Sequence, residues 1–102
     1  MNEEEVRKRM LTMLAEERET KPLAWWWLSF CDANLPKGTQ FLGACIVRAH
    51  GMTDAILQSH RLGLNPGGEV LTVQARDEFV PAEKYLGRLL SKADIAEMDK
   101  DS

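Results

Sequence analysis

Apolar positions recur along this chain with two different periods, and the changes of period mark its elements. Over residues 2–19, Val6, Met10, Met13 and Leu14 stand at i, i+4, i+7 and i+8, one stripe of an amphipathic helix. Asn2 suits its N-cap, and Glu3, Glu4 and Glu5 complement the positive helix end. Lys21-Pro22 ends it, because the residue before a proline is driven out of the helical region. The pattern then becomes almost continuously apolar across Ala24-Trp25-Trp26-Trp27-Leu28-Ser29-Phe30-Cys31. Neighbouring side chains of a strand point to opposite faces, so three consecutive tryptophans place large aromatics on both sides of a sheet. Both sides then need a cover.

A second strand is expected over 40–49, after a connection rich in turn formers, Asp32-Ala33-Asn34-Leu35-Pro36-Lys37-Gly38-Thr39. A hairpin centred near Pro36 pairs Trp25 with Val47, Trp27 with Cys45, Ser29 with Gly43, and Cys31 with Phe41. On the opposite face it sets Trp26 against Ile46, Leu28 against Ala44, and Phe30 against Leu42. A slip of one residue would exchange the faces.

Residues 53–63 read as a second helix, with Thr53 as N-cap, Met52 and Leu57 as a hydrophobic staple, and Gly63 as a left-handed C-cap. Leu64-Asn65-Pro66-Gly67-Gly68 is a tight turn with Pro and Gly placed as a type II turn needs them. Residues 69–76 alternate, with Leu71, Val73 and Ala75 apolar and Thr72, Gln74 and Arg76 polar, as an edge strand with one wet face would. Pro81 opens a short helical turn through Tyr85. Ser91-Lys92-Ala93-Asp94 carries a capping-box signal, and Leu90 and Ile95 repeat the staple spacing, so a short helix is expected over 92–99 before a frayed end.

The expected fold is therefore a single α+β domain of order α-β-β-α-β-α. It comprises an N-terminal amphipathic helix (1–21), a sheet-and-helix core (23–90) and a short C-terminal helix with a frayed end (91–102). A right-handed crossover through the second helix can land the third strand beside the first. The sheet is then antiparallel throughout, in the order 2-1-3. The first strand becomes central, where the most apolar strand belongs.

Composition changes this picture little. The chain has 102 residues, enough for one modest core, and is 44% hydrophobic and 28% charged, as soluble domains usually are. The start, Met1-Asn2-Glu3-Glu4-Glu5, has neither the basic nor the apolar part of a signal peptide, so a cytoplasmic location is expected, with no membrane partner. A net charge of −3 argues against a general nucleic-acid binder. The helix charges Glu3–Arg7, Glu4–Lys8 and Glu5–Arg9 are spaced i, i+4 and are expected to pair with one another.

Candidate chemistry is sparse. Cys31 and Cys45 are too few for a disulfide framework or a cysteine zinc site. His50 and His60 lack the spacing of any HxxxH, CxxC or HExxH motif, so no catalytic residue, metal or cofactor is expected. The glycines at 67–68 follow a helix and precede a strand, the reverse of a phosphate loop.

The combination Trp25-Trp26-Trp27-Leu28-Ser29-Phe30, Pro36-Lys37-Gly38, Phe41-Leu42-Gly43 and His60-Arg61-Leu62-Gly63-Leu64-Asn65-Pro66-Gly67-Gly68 resembles a group of short bacterial and bacteriophage proteins of uncharacterised function. The resemblance spans roughly residues 23–92 and leaves out the N-terminal helix. It implies a small standalone phage or bacterial protein, and brings with it no activity, ligand or catalytic residue.

Two functions are then expected. The first is a non-enzymatic interaction protein that binds a host or phage protein, or itself as a homodimer. Its surface would be the face of Trp25, Trp27, Phe41 and Val47, covered by the stripe Val6, Met10, Met13 and Leu14 within the chain or across a subunit boundary. The alternative is a nucleic-acid accessory protein in which Lys37, Arg48 and Arg61 flank the aromatics.

Overall fold

The computed structural model describes residues 2–101, excluding the side chain of Asp101. Its elements are α1 (Glu3–Thr20), β1 (Ala24–Cys31), β2 (Phe41–Ala49), α2 (Met52–Arg61), β3 (Glu69–Gln74), a 3₁₀ turn (Glu83–Tyr85) and α3 (Lys92–Asp101). The strands form one antiparallel sheet in the order β2-β1-β3, with β1 central. Order and topology are those the sequence predicts.

The sheet has a core on each side. Trp26, Leu28 and Phe30 of β1 face α2, and with Cys45, Val47, Ala49, Ala55 and Leu64 they make the larger cluster. Leu28 and Phe30 are fully buried; Trp26 is half-buried and donates from Nε1 to the Ala49 carbonyl at 3.2 Å. On the other side Trp25, Trp27 and Ile46 meet Phe79, Tyr85, Leu86, Leu90, Ile95 and Met98 from the C-terminal part of the chain.

The hairpin register differs from expectation by one residue along most of its length. Cys31 pairs with Phe41 as predicted, but Phe30 pairs with Gly43, so Leu42 is an extra residue on β2. Beyond this bulge Leu28 faces Cys45, Trp27 faces Ile46, Trp26 faces Val47 and Trp25 faces Arg48. Val47 therefore lies on the α2 side rather than with Trp25 and Trp27, and Ile46 takes its place there. A bulge inserts one unpaired residue and inverts every later position. Gly43, at φ 139°, supplies the backbone conformation that the bulge requires. A Cβ there would also stand 2.5 Å from the Leu89 side chain, since residues 89–90 run along the outer edge of β2. Ala44 and Leu90 exchange backbone hydrogen bonds of 3.0 and 2.6 Å, which close that edge.

β3 is an edge strand, as predicted, but its wet face is the other one. Phe30 pairs with Val70 and Trp27 with Val73, so the even-numbered residues of β3 lie on the α2 side. Leu71 and Val73 stay 64% and 48% exposed. The C-terminal segment covers Trp25, Trp27 and Ile46 and stops short of them.

The termini of α2 and α3 show the local chemistry at work. Gly63 has φ 71° and directly follows the last helical turn; its N–H bonds the His60 carbonyl, and the Leu64 N–H bonds that of Ser59. This is a Schellman closure, with Leu64 buried in the core. α2 spans 52–61 rather than 53–63. At α3 the capping box forms as read: Asp94 accepts from the Ser91 N–H at 2.8 Å, and the Ser91 hydroxyl accepts from the Asp94 N–H at 3.2 Å. Asp99–Asp101 continue α3 rather than fraying, and the Ser102 end lies outside the described residues.

Candidate functional site

The position of α1 follows from one buried carboxylate. Glu17 stands where the stripe Val6, Met10, Met13 would continue, and it is buried. Its Oε2 accepts from the Thr53 N–H at 3.0 Å, and its Oε1 from the Asp54 N–H at 2.8 Å. The first N–H groups of a helix have no partner within it, so Glu17 caps α2 from another element. The predicted cap, Thr53, lies inside the helix instead, and the N-cap residue, Gly51, makes no side-chain cap bond. A Cβ on Gly51 would stand 2.5 Å from the Glu17 carboxyl carbon, so the glycine admits the approach.

Further bonds hold the same junction. Arg18 lies 3.5 Å from Asp54, and Asp54 accepts from the His50 N–H at 2.8 Å. His50 in turn donates from Nδ1 to the Lys21 carbonyl at 2.8 Å. Burial pushes the Asp54 carboxyl up, but the His50 N–H, the Gln58 amide and the Arg18 guanidinium together outweigh it and hold it below its ordinary range.

Beyond this junction α1 and α2 line a groove of about 520 Å³. One wall is Val6, Met10, Leu11, Met13 and Leu14 together with Glu3 and Arg7. The other is Thr53, Ile56, Leu57 and His60, a stripe at helical spacing on α2. Along α1, Val6, Met10 and Met13 stay open to solvent, 42%, 51% and 42% exposed, while Leu14 is half-buried. The groove is thus a mostly apolar cleft between two helices, with Glu3, Arg7, Thr53 and His60 as its polar lining.

The structure divides the predicted interaction surface. Within the chain the α1 stripe lies beside α2, not over Trp25 and Trp27, and those two rings are covered by the C-terminal segment. Phe41, half-buried, stands opposite Cys31 at the end of that face, and Val47 is on the far side of the sheet. The reason lies in the junction: capping α2 draws α1 to the face on which α2 packs.

The basic residues of the nucleic-acid alternative do not converge. Lys37 is in the β1–β2 connection, at the opposite end of the hairpin from Arg48. Arg48 lies over the Trp25 ring, 5.2 Å from its centre, and Arg61 ends α2 on the other side of the sheet. Cys45 is buried, which pushes its thiol up to about 11 and leaves it neutral near pH 7. His60 is exposed, 3.3 Å from the Asn65 amide. Among the described residues no three His, Cys, Asp or Glu side chains are grouped to hold a metal ion. Nor, among them, is any helix long and apolar enough to cross a membrane.

The residue that periodicity overlooked is Glu17. Its signal was present: a carboxylate in register with an apolar stripe is either a solvated edge or a buried partner. Only its placement against α2 separates the two. This chain matches no family model, no curated protein and no solved structure, so the functional reading rests on the geometry of this groove.

Proposed function

We propose that this chain is a non-enzymatic interaction module that docks an amphipathic helix of a protein partner in the α1–α2 groove. The observation that carries the reading is the groove itself, in which Val6, Met10 and Met13 stay half-exposed along a helix tied down by Glu17 and Arg18 at its other end. Helix-in-groove recognition lays the apolar face of an amphipathic helix into a hydrophobic groove, and Val6, Met10, Met13, Leu14, Ile56 and Leu57 offer such a surface here. Methionine suits such a surface because its unbranched, polarisable side chain adapts to varied shapes.

A photoreactive amino acid placed at Met10 tests this in cells. Val80, 85% exposed on the C-terminal segment, is the control position. The reading expects a covalent adduct to a protein from position 10 and none from position 80. No adduct from position 10, or equal adducts from both, would overturn it.

A further inference from the structure

We infer that the occupant of the groove is α1 of a second copy of this chain, laid antiparallel. The inference rests on the docking reading above and adds the identity of the partner. Three i, i+4 pairs are available on α1, but among the described residues only Glu4 and Lys8 pair, at 3.9 Å and well exposed. Arg7 and Arg9 form no ion pair among the described residues, and neither do Glu16 and Glu19 farther along the helix.

The order of these charges selects the orientation. Nearest the middle of the stripe, Arg7, Lys8 and Arg9 precede it and Glu16 follows it; Glu3, Glu4 and Glu5 occupy the first turn, Arg18 and Glu19 the last, and Glu17 is taken by the cap of α2. A parallel pair in register sets Arg9 level with Arg9, and Glu16 with Glu16, of the other copy. An antiparallel pair, with its two-fold axis passing between Met10 and Met13, sets Met10 of each copy against Met13 of the other. It brings Arg9 of each beside Glu16 of the other, twice by symmetry. The apolar stripe is then buried between two copies, and each groove receives the helix that lines the other. An anionic nucleic acid or lipid surface fits worse, because the stripe is flanked by both signs and the chain carries net charge −3.

The experiment is a concentration series in sedimentation velocity on the full chain, with Arg9→Glu, Glu16→Arg and the double variant. Both positions are exposed, and circular dichroism checks that each variant keeps its helix content. The wild type should dimerise. Each single reversal should weaken the dimer about tenfold or more, and the double variant should recover most of that loss, since the pair is attractive again with its signs exchanged. A wild type that stays monomeric across the accessible range would overturn the inference. So would single variants that weaken the dimer without rescue in the double. If the wild type is monomeric while position 10 still crosslinks to a different protein, the second copy is excluded as occupant and helix docking stands; if position 10 crosslinks to nothing, both fall.

Discussion

Replacing Glu17 with Ala removes the two acceptors that meet the first N–H groups of α2, at 3.0 and 2.8 Å, and Gly51 has no side chain to replace them. The expected loss is about 1–2 kcal/mol in denaturant unfolding, typical of a lost N-cap. Glu17→Gln keeps one acceptor oxygen and should lose less. Asp54 at the same junction adds a pH dependence. Its carboxyl titrates lower in the folded chain than in the unfolded one, so its contribution is fully present above the unfolded value, near ~3.9, and disappears as pH falls through the folded value. Asp54→Asn should therefore flatten the acid limb of a stability–pH curve; an unchanged limb would show that Asp54 does not govern it. In the core, Phe30→Ala should cost about 3–5 kcal/mol, because the ring is fully buried and its neighbours can only partly collapse. Trp26→Ala should cost less, since Trp26 keeps one edge in solvent.

Among the elements, the C-terminal segment from Phe79 onward most clearly does a task that the sequence pattern assigned to another. It supplies the cover for Trp25, Trp27 and Ile46, and it is held by specific polar contacts: Arg88 with Asp94 at 3.0 Å, Lys84 with Glu97 at 3.1 Å, and the Ser91–Asp94 capping box. The Ser91 N–H, the Arg88 guanidinium and the Ser91 hydroxyl lower the Asp94 carboxyl to about 2. The cap is thus intact above the unfolded Asp value of ~3.9 and fails as pH falls toward about 2. Tryptophan emission should shift to the red over that window as α3 loosens from Trp25 and Trp27, and Asp94→Asn should show the red-shifted emission already at neutral pH. Emission that is the same for both proteins at neutral pH would mean that the box does not hold the cover in place.

At the scale of the whole molecule, α1 packs on α2, and its C-terminal end leads into β1 and is tied to His50 after β2. Removing residues 2–13 leaves Glu17, α2 and the cover of the tryptophans in place. The truncated chain should keep the tryptophan emission and cooperative unfolding of the full chain and lose self-association. A large emission shift would show that α1 reaches the sheet after all. The amino-acid pattern by itself determined the elements, their order and the central place of β1. Those follow from short-range rules: the periods of apolar positions, Asn2, Ser91–Asp94 and Gly63 at helix ends, and turn residues between strands. Which residue of β2 faces which of β1 depended on the extra residue at Leu42, and a bulge is a property of two strands together. Which element covers each face was also beyond the pattern. An amphipathic stripe states that it needs a partner but not which one, and α1 and the segment after Phe79 both had apolar surface to bury. The choice fell to a contact between residues 36 positions apart, Glu17 on the N–H of Thr53, which draws α1 to α2 and leaves its stripe open. Such a contact carries no local signature, because it exists only once the chain has folded α2 back against α1.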